Sequence, residues 1–176
     1  MARNVLVIRR RTANAVGLAA TLGMLGYALF TQHIQALQPC NMCLLQRAAV
    51  LALGAVFFLA MVHHPRLLWA RVYAGLVGVC AAAGVALAAR QVWMQAQPLG
   101  SLPSCGADLY TLLDMLPVHQ AVGLVWRGGG DCQAVTWSLF GLSMAAWVAL
   151  SLTALGVFGV WNNSRRDPPS IRFLSR

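Results

Sequence analysis

The sequence predicts an all-α membrane protein, a four-transmembrane-helix bundle with a short interfacial helix in its second outer loop. Three observations predict it. Of 176 residues, 59% are hydrophobic and only 10% are charged, against about 25% charged in an ordinary soluble domain. Four apolar windows are bounded by charge or turn residues, each near the ~20 residues that cross a ~30 Å hydrocarbon core. The 13 positive charges are all Arg and fall unequally between the two sets of connections. Disorder is excluded, because an unfolded chain needs low hydrophobicity and high charge density.

The first window covers about residues 13–31. A cleaved signal peptide competes for residues 1–36. However, the apolar run Ala15 to Phe30 is long for such a segment and no clear A-x-A site follows, so a retained helix is expected. A short loop, 32–40, leads to the second window at about 41–62. A tight turn at His63 to Arg66, marked by Pro65, leads to the third at about 67–89. The long stretch 91–136 follows, then the fourth window at about 137–161. Backbone in lipid must satisfy its own hydrogen bonds, so each window is a helix, and the chain is expected to be one integral membrane domain over 1–176. Ala19 with Gly23, and Gly75, Gly78, Gly156 and Gly159, predict close helix packing.

Only the 91–136 stretch can build a small structure. Leu109, Leu112, Leu113, Leu116, Val122 and Val125 recur at roughly helical spacing, broken by Pro117, which predicts a short helix on the membrane surface. Arg127-Gly128-Gly129-Gly130-Asp131 then reads as a mobile turn delivering Cys132 on a flexible segment. Trp93, Trp126, Trp137 and Trp147 read as interfacial belt anchors.

Ten of the Arg residues lie before the first window, at the second turn or after the fourth window, and three (Arg47, Arg90, Arg127) lie toward the other face. The positive-inside rule then puts both termini in the cytoplasm and the 32–40 and 91–136 loops outside. A pI near 10.7 raises nucleic acid as a partner. The Arg clusters carry no aromatic-rich basic patch, so they read as topological anchors that touch membrane lipids and not nucleic acid.

Cys80 lies in the middle of the third window and reads as an inert small hydrophobe, whereas Cys40, Cys43, Cys105 and Cys132 fall in or beside the outer loops. Position pairs Cys40 with Cys43 and Cys105 with Cys132, one of three connectivities that four cysteines allow. Cys40-Asn41-Met42-Cys43 opens the second helix after Pro39. A C-x-x-C at a helix mouth favours a reactive disulfide, while the second pair on its own could be a staple. Metal is not expected, because His33 and His119 have no ligand-spaced partner and His63 and His64 lie on the opposite face. Arg47, one turn below Cys43 on the same face, is costly inside a span unless it is partnered. Snorkelling to the headgroups is one reading. The other is a donor that holds an oxidised organic cofactor beside Cys43.

The string Gln38-Pro39-Cys40-Asn41-Met42-Cys43-Leu44-Leu45-Gln46-Arg47 resembles the P-C-x-x-C-x-x-x-R signature of the bacterial disulfide bond formation protein B (DsbB) family. Cys105, Gly130-Asp131-Cys132, Trp137 and Phe140-Gly141-Leu142-Ser143-Met144 extend the resemblance over nearly the whole chain. It implies a multi-pass protein of the bacterial inner membrane, a quinone-dependent thiol-disulfide oxidoreductase. The partner implied is a DsbA-like periplasmic thiol oxidase, and the electron acceptor is membrane quinone, ubiquinone or else menaquinone. By similarity, the partner attacks the Cys105–Cys132 disulfide at Cys105. Cys132 then attacks Cys40, and Cys43 donates to quinone with Arg47 nearby. DsbA is the established strong oxidant of this relay, whereas ordinary structural disulfides are poor oxidants, so an external acceptor is required. Two positions depart from the family pattern. Gln91 stands where many relatives carry His beside the quinone, and it can donate a hydrogen bond but cannot titrate. Ala145-Ala146-Trp147 replaces Pro-Glu-Trp. The alternative is a non-enzymatic, disulfide-stapled membrane scaffold or assembly factor, which has no need for an Arg one turn below a C-x-x-C.

Overall fold

Four long helices run back and forth: α1 (Arg10–His33), α2 (Asn41–His63), α3 (Leu67–Gln95) and, after a folded connection, α7 (Met144–Ser164). All four are long and apolar enough to cross a membrane. The computed structural model describes residues 10–63, 65, 67–102, 109–127, 130–135 and 137–165. Helix α3 lies along both α2 and α7, α1 lies along α2, and a slighter α1–α7 contact completes the bundle.

The bundle core is built around Phe57, Leu53, Val77 and Leu152, with Cys80 partly buried against it. Small residues bring the helices together here. A Cβ on Gly17 or on Gly159 would come within 2.8 Å of the Phe57 ring, and one on Gly156 within 2.7 Å of Ala81. Of the glycines singled out for packing, Gly156 and Gly159 have this role, whereas Gly23 and Gly75 face open space. Gly17, Gly54 and Gly84 are further tight contacts that the sequence reading did not single out.

At the end of the bundle where α1 begins and α7 finishes, buried polar groups bond to one another, although Asn162 Oδ1 is left without a partner. Asn14, Asn162 and Asn163 are fully buried. The Nδ2 groups of Asn162 and Asn163 both donate to Asn14 Oδ1 at 3.1 Å, and Asn14 Nδ2 donates to Asn163 Oδ1 at 3.2 Å. Arg10 donates to the carbonyls of Arg165, at 2.6 Å, and Pro65, at 3.4 Å, so this anchor is a buried clamp across three helix ends.

At the other end, three boundaries differ from the sequence expectation. Helix α3 continues past Arg90 to Gln95 because Arg90 does not stop it. The guanidinium stacks 4.2 Å over Trp93, and Nε donates to the Trp126 carbonyl at 3.3 Å. The fourth span starts at Met144 and not near 137. Residues 138–143 instead form a small antiparallel hairpin, β1 (Ser138–Leu139) and β2 (Leu142–Ser143). Phe140 and Gly141 both have positive φ at its turn, which twists as a two-residue hairpin requires. Ser143 then caps α7 by accepting from Ala146 N. The single surface helix expected around 108–126 is two, α4 (Leu109–Met115) and α5 (Val118–Arg127), separated at Pro117. Their buried residues Leu109, Leu112, Ala121 and Val125 pack on Met42 and Met94, at the cysteine ends of α2 and α3.

The glycine packing predicts a measurable cost. Gly17→Ala should destabilise the protein by about 1–3 kcal/mol through overpacking against Phe57, and adding Phe57→Leu should recover most of it. Thermal unfolding in detergent checks this; an unchanged midpoint for Gly17→Ala would contradict the packing.

Candidate functional site

Helix α2 begins on the C-x-x-C itself. Pro39 holds the chain out of the helix, and the Cys40 carbonyl accepts the first helical bond, from Leu44 N at 3.2 Å. Cys40 Sγ accepts from Cys43 N at 3.4 Å, in the manner of an N-cap side chain. That cap brings the two sulfurs to 2.9 Å, so side-chain rotation suffices to close a disulfide of about 2.05 Å.

Gln91 reaches this pair from α3. It is 4% exposed, and its Nε2 donates to Cys43 Sγ at 3.3 Å and to Cys40 Sγ at 3.5 Å. Its Oε1 accepts from Gln46 Nε2 at 2.6 Å and from the Cys43 thiol at 3.7 Å. Gln46 therefore sets the orientation of the Gln91 amide, with its NH2 toward sulfur. Arg47 does not extend toward the surface. Its guanidinium turns sideways to α1, donating to Gln32 Oε1 and, at 3.0 Å, to the Ala28 carbonyl. These bonds use two of five N–H donors and partner the charge inside the protein.

Cys132 lies in α6 (Gly130–Gln133), 2% exposed, in the cluster that includes Met42 and against which Cys40 packs. Its side chain is in hydrogen-bonding contact with Cys40. That contact, then the one with Cys43, then burial, push the Cys40 thiol well above its ordinary pKa range. The expected flexible delivery of Cys132 is corrected here, because the next residue anchors it. Gln133 Nε2 donates to the Pro98 carbonyl at 2.8 Å and to Ser101 Oγ at 3.2 Å, while its Oε1 accepts from Gly100 N at 3.1 Å. A glycine-rich run signals a turn but does not reveal the glutamine clamp beyond it. Cys105 lies outside the described residues, as do Gly128 and Gly129 of that run.

Beside the sulfurs opens a cavity of about 130 Å³ between α1, α2, α3 and α7. Met24, Leu25, Val50 and Val148 give it apolar walls, and Cys40, Cys43, Gln46, Arg47, Gln91 and Gln95 line it too. Gln95 Oε1 is buried without a hydrogen-bond partner. Apolar walls with a cation, amide donors and an unused acceptor suit a flat, neutral ring bearing two carbonyls that become hydroxyls on reduction, so the residues present fit a quinone. Trp137 also lines this cavity, edge-on to Tyr27 at 6.0 Å, and is not a simple belt anchor. Of the residues expected from sequence, Cys40, Cys43, Arg47, Gln91 and Cys132 are brought together. Gln32, Gln46, Gln95 and Gln133 had no motif to mark them. A compositional signal existed, since all nine glutamines fall between residues 32 and 133.

The sequence model of "Disulfide bond formation protein DsbB" matches residues 10–162. The chain belongs to the DsbB family. Among its relatives, disulfide bond formation protein B of Azoarcus sp. is 40% identical over 138 residues, 78% of this chain and 82% of that protein. Its counterpart in Methylobacillus flagellatus is 38% identical over 145 residues, covering 82% and 87%. That of Hahella chejuensis is 34% identical over 154 residues, covering 88% and 92%. As a DsbB-family member the chain is a membrane disulfide oxidoreductase, quinone-linked, that re-oxidises a DsbA-type protein. The family is one of the bacterial inner membrane, in keeping with four apolar helices.

In the fully reduced protein Cys40 should be alkylated more slowly than an unperturbed thiol at pH 8, with the rate still rising above that pH. Cys132→Ser should accelerate it by removing the largest cause of the shift. Timed iodoacetamide labelling with peptide mass spectrometry checks this. Labelling of Cys40 at the rate of a free thiol would contradict the buried contact.

Proposed function

We propose that electrons enter this DsbB-family protein at Cys105, pass through Cys132 and Cys40, and leave from Cys43 beside a quinone held by Arg47, Gln91 and Gln95. The observation that carries this reading is the position of Cys40, which touches Cys132 on one side and Cys43 on the other, with Cys43 lining the cavity. A partner thiolate of the DsbA type attacks Cys105 Sγ, forming a mixed disulfide and releasing Cys132 as a thiolate. The partner's second thiol later resolves that mixed disulfide. Cys132 attacks Cys40 Sγ; the Cys40–Cys132 bond forms, the Cys40–Cys43 bond breaks, and Cys43 leaves carrying the electron pair. The Cys105 thiolate freed by the partner then attacks Cys132 Sγ, re-forming the Cys105–Cys132 bond and releasing Cys40, and the Cys40–Cys43 bond would re-form as the electron pair passes to the acceptor. Because contact with Cys132 and burial hold Cys40 protonated once reduced, it acts as the attacked sulfur and not as the nucleophile. The Gln91 amide donates toward both sulfurs, so it follows the negative charge from one to the other.

A bound quinone supplies a two-electron, two-proton acceptor. The acceptor proposed is ubiquinone in preference to menaquinone, as the family resemblance implies. Arg47 would donate to a quinone oxygen with the N–H groups that Gln32 and Ala28 leave free, and Gln95 Oε1 would accept from a hydroxyl. The orientation proposed puts both termini in the cytoplasm. It is supported by the ten Arg residues that sequence assigns to that side, against three on the other.

Anaerobic mixing of the purified protein with ubiquinone and a reduced DsbA-type partner, followed by quinone absorbance, tests the reading. Wild type should reduce quinone and Cys43→Ser should not. Cys105→Ser should abolish use of the partner while leaving a small dithiol able to drive Cys40 and Cys43. Arg47→Gln should raise the KM for quinone roughly tenfold, as the loss of a charge-assisted hydrogen bond predicts. Failure of wild type to reduce quinone overturns the reading, and menaquinone in place of ubiquinone decides the acceptor.

A further inference from the structure

The two residues between the cysteines of the C-x-x-C point inward to the second outer loop. Asn41 is 8% exposed, and its Oδ1 accepts from the backbone N–H of Leu109 at 2.8 Å, across 68 residues of sequence. Met42 is fully buried in the same cluster as Leu109, Leu112, Val125 and Cys132. Leu109 is the first residue of α4, so its N–H has no partner within the helix. Asn41 supplies that partner from another helix. In sequence, Leu109 follows Cys105 by four residues.

We propose that Asn41 is a positioning residue for exchange between the two cysteine pairs, latching the loop that carries Cys105 and Cys132 onto the C-x-x-C through the Leu109 N–H. The proposal rests on the relay described above. Attack of Cys132 on Cys40 needs three sulfurs nearly in line, and misplacement by a fraction of a bond length is costly in rate. Gln133 holds the chain beside Cys132 to residues 98–101 only, so it does not tie the loop to α2. Packing around Met42 is non-directional and fixes distance better than alignment. The Asn41 bond is directional, buried, and one residue from the attacked sulfur. Its loss would also leave the Leu109 N–H unpaired in an apolar cluster, which favours departure of the loop. Among the described residues, Asn41 is not one that lines the cavity.

The test uses the full chain in detergent with ubiquinone under anaerobic conditions and compares two electron sources. With a reduced DsbA-type protein, Asn41→Ala should lower the rate of quinone reduction about fivefold, and Asn41→Asp, which keeps the acceptor oxygen, should recover it. With dithiothreitol in a Cys105→Ser/Cys132→Ser background, where electrons enter directly at Cys40 and Cys43, Asn41→Ala should leave the rate unchanged. Equal partner-driven rates for wild type and Asn41→Ala overturn the proposal. So does an equal loss with both electron sources, the mark of a merely structural residue, or failure of Asn41→Asp to recover the rate. If wild type itself does not reduce quinone with the partner, the relay reading falls, an outcome distinct from each of these.

Discussion

The cysteine end of the bundle depends on one sulfur atom that also serves as a helix cap. Cys40 Sγ accepts from Cys43 N, lies 2.9 Å from Cys43 Sγ, accepts from Gln91 and touches Cys132. Because the cap and the cysteine pair share Cys40 Sγ, the start of α2 and the separation of the two sulfurs cannot be set independently. Pro39 fixes where the helix begins, and that one decision orients Cys43 toward the cavity and leaves Arg47 one turn below it. Gln46 and Asn41 follow from the same registry, one facing α3 and the other facing α4.

A chain with so few charges meets its polar needs with amides. At the cysteine end Gln32 partners Arg47, and Gln46 orients Gln91. At the opposite end three asparagines bond to one another, and the Arg10 guanidinium is held by two carbonyls. Neutral partners avoid burying a second charge, whose desolvation can exceed the attraction it gains. Among the described residues they also leave the cavity lining without a carboxylate, which suits the neutral ring proposed for it. An amide has both a donor and an acceptor end, so each needs a neighbour to set its direction. For Gln91 that neighbour is Gln46.

What the sequence made legible follows from length scales. Four spans could be read because the bilayer imposes a length, and the C-x-x-C with Arg47 because helical periodicity puts them on one face. The end of α3 could not, because a charge was read as a terminus while Arg90 was accommodated by Trp93 and the Trp126 carbonyl, the latter 36 residues away. The hairpin at 138–143 was hidden by apolar residues that fit a helix equally well, although Phe140-Gly141 followed by Ser143 carried its turn and its cap. Gln91 was legible only through family resemblance, and its bonds to sulfur depend on Gln46, which no motif links to it. The anchoring of Cys132 was misread because local composition describes the chain before it and not the partner that Gln133 finds in residues 98–101.

These local facts share a consequence for how electrons could move. Gln133 fixes the backbone beside Cys132, Asn41 fixes the start of α4, and Gln91 holds both sulfurs of the C-x-x-C from α3. The two loops and three helices around the site are therefore tied at points within a residue or two of the sulfurs. In the proposed relay, a change of disulfide partner then requires rotation about side-chain bonds and not displacement of whole helices. Rotation about a side-chain bond displaces few atoms, whereas helix or domain shifts are collective and take microseconds or longer. A frame tied close to the sulfurs thus leaves the chemistry of exchange, and the arrival of partner and quinone, to set the pace.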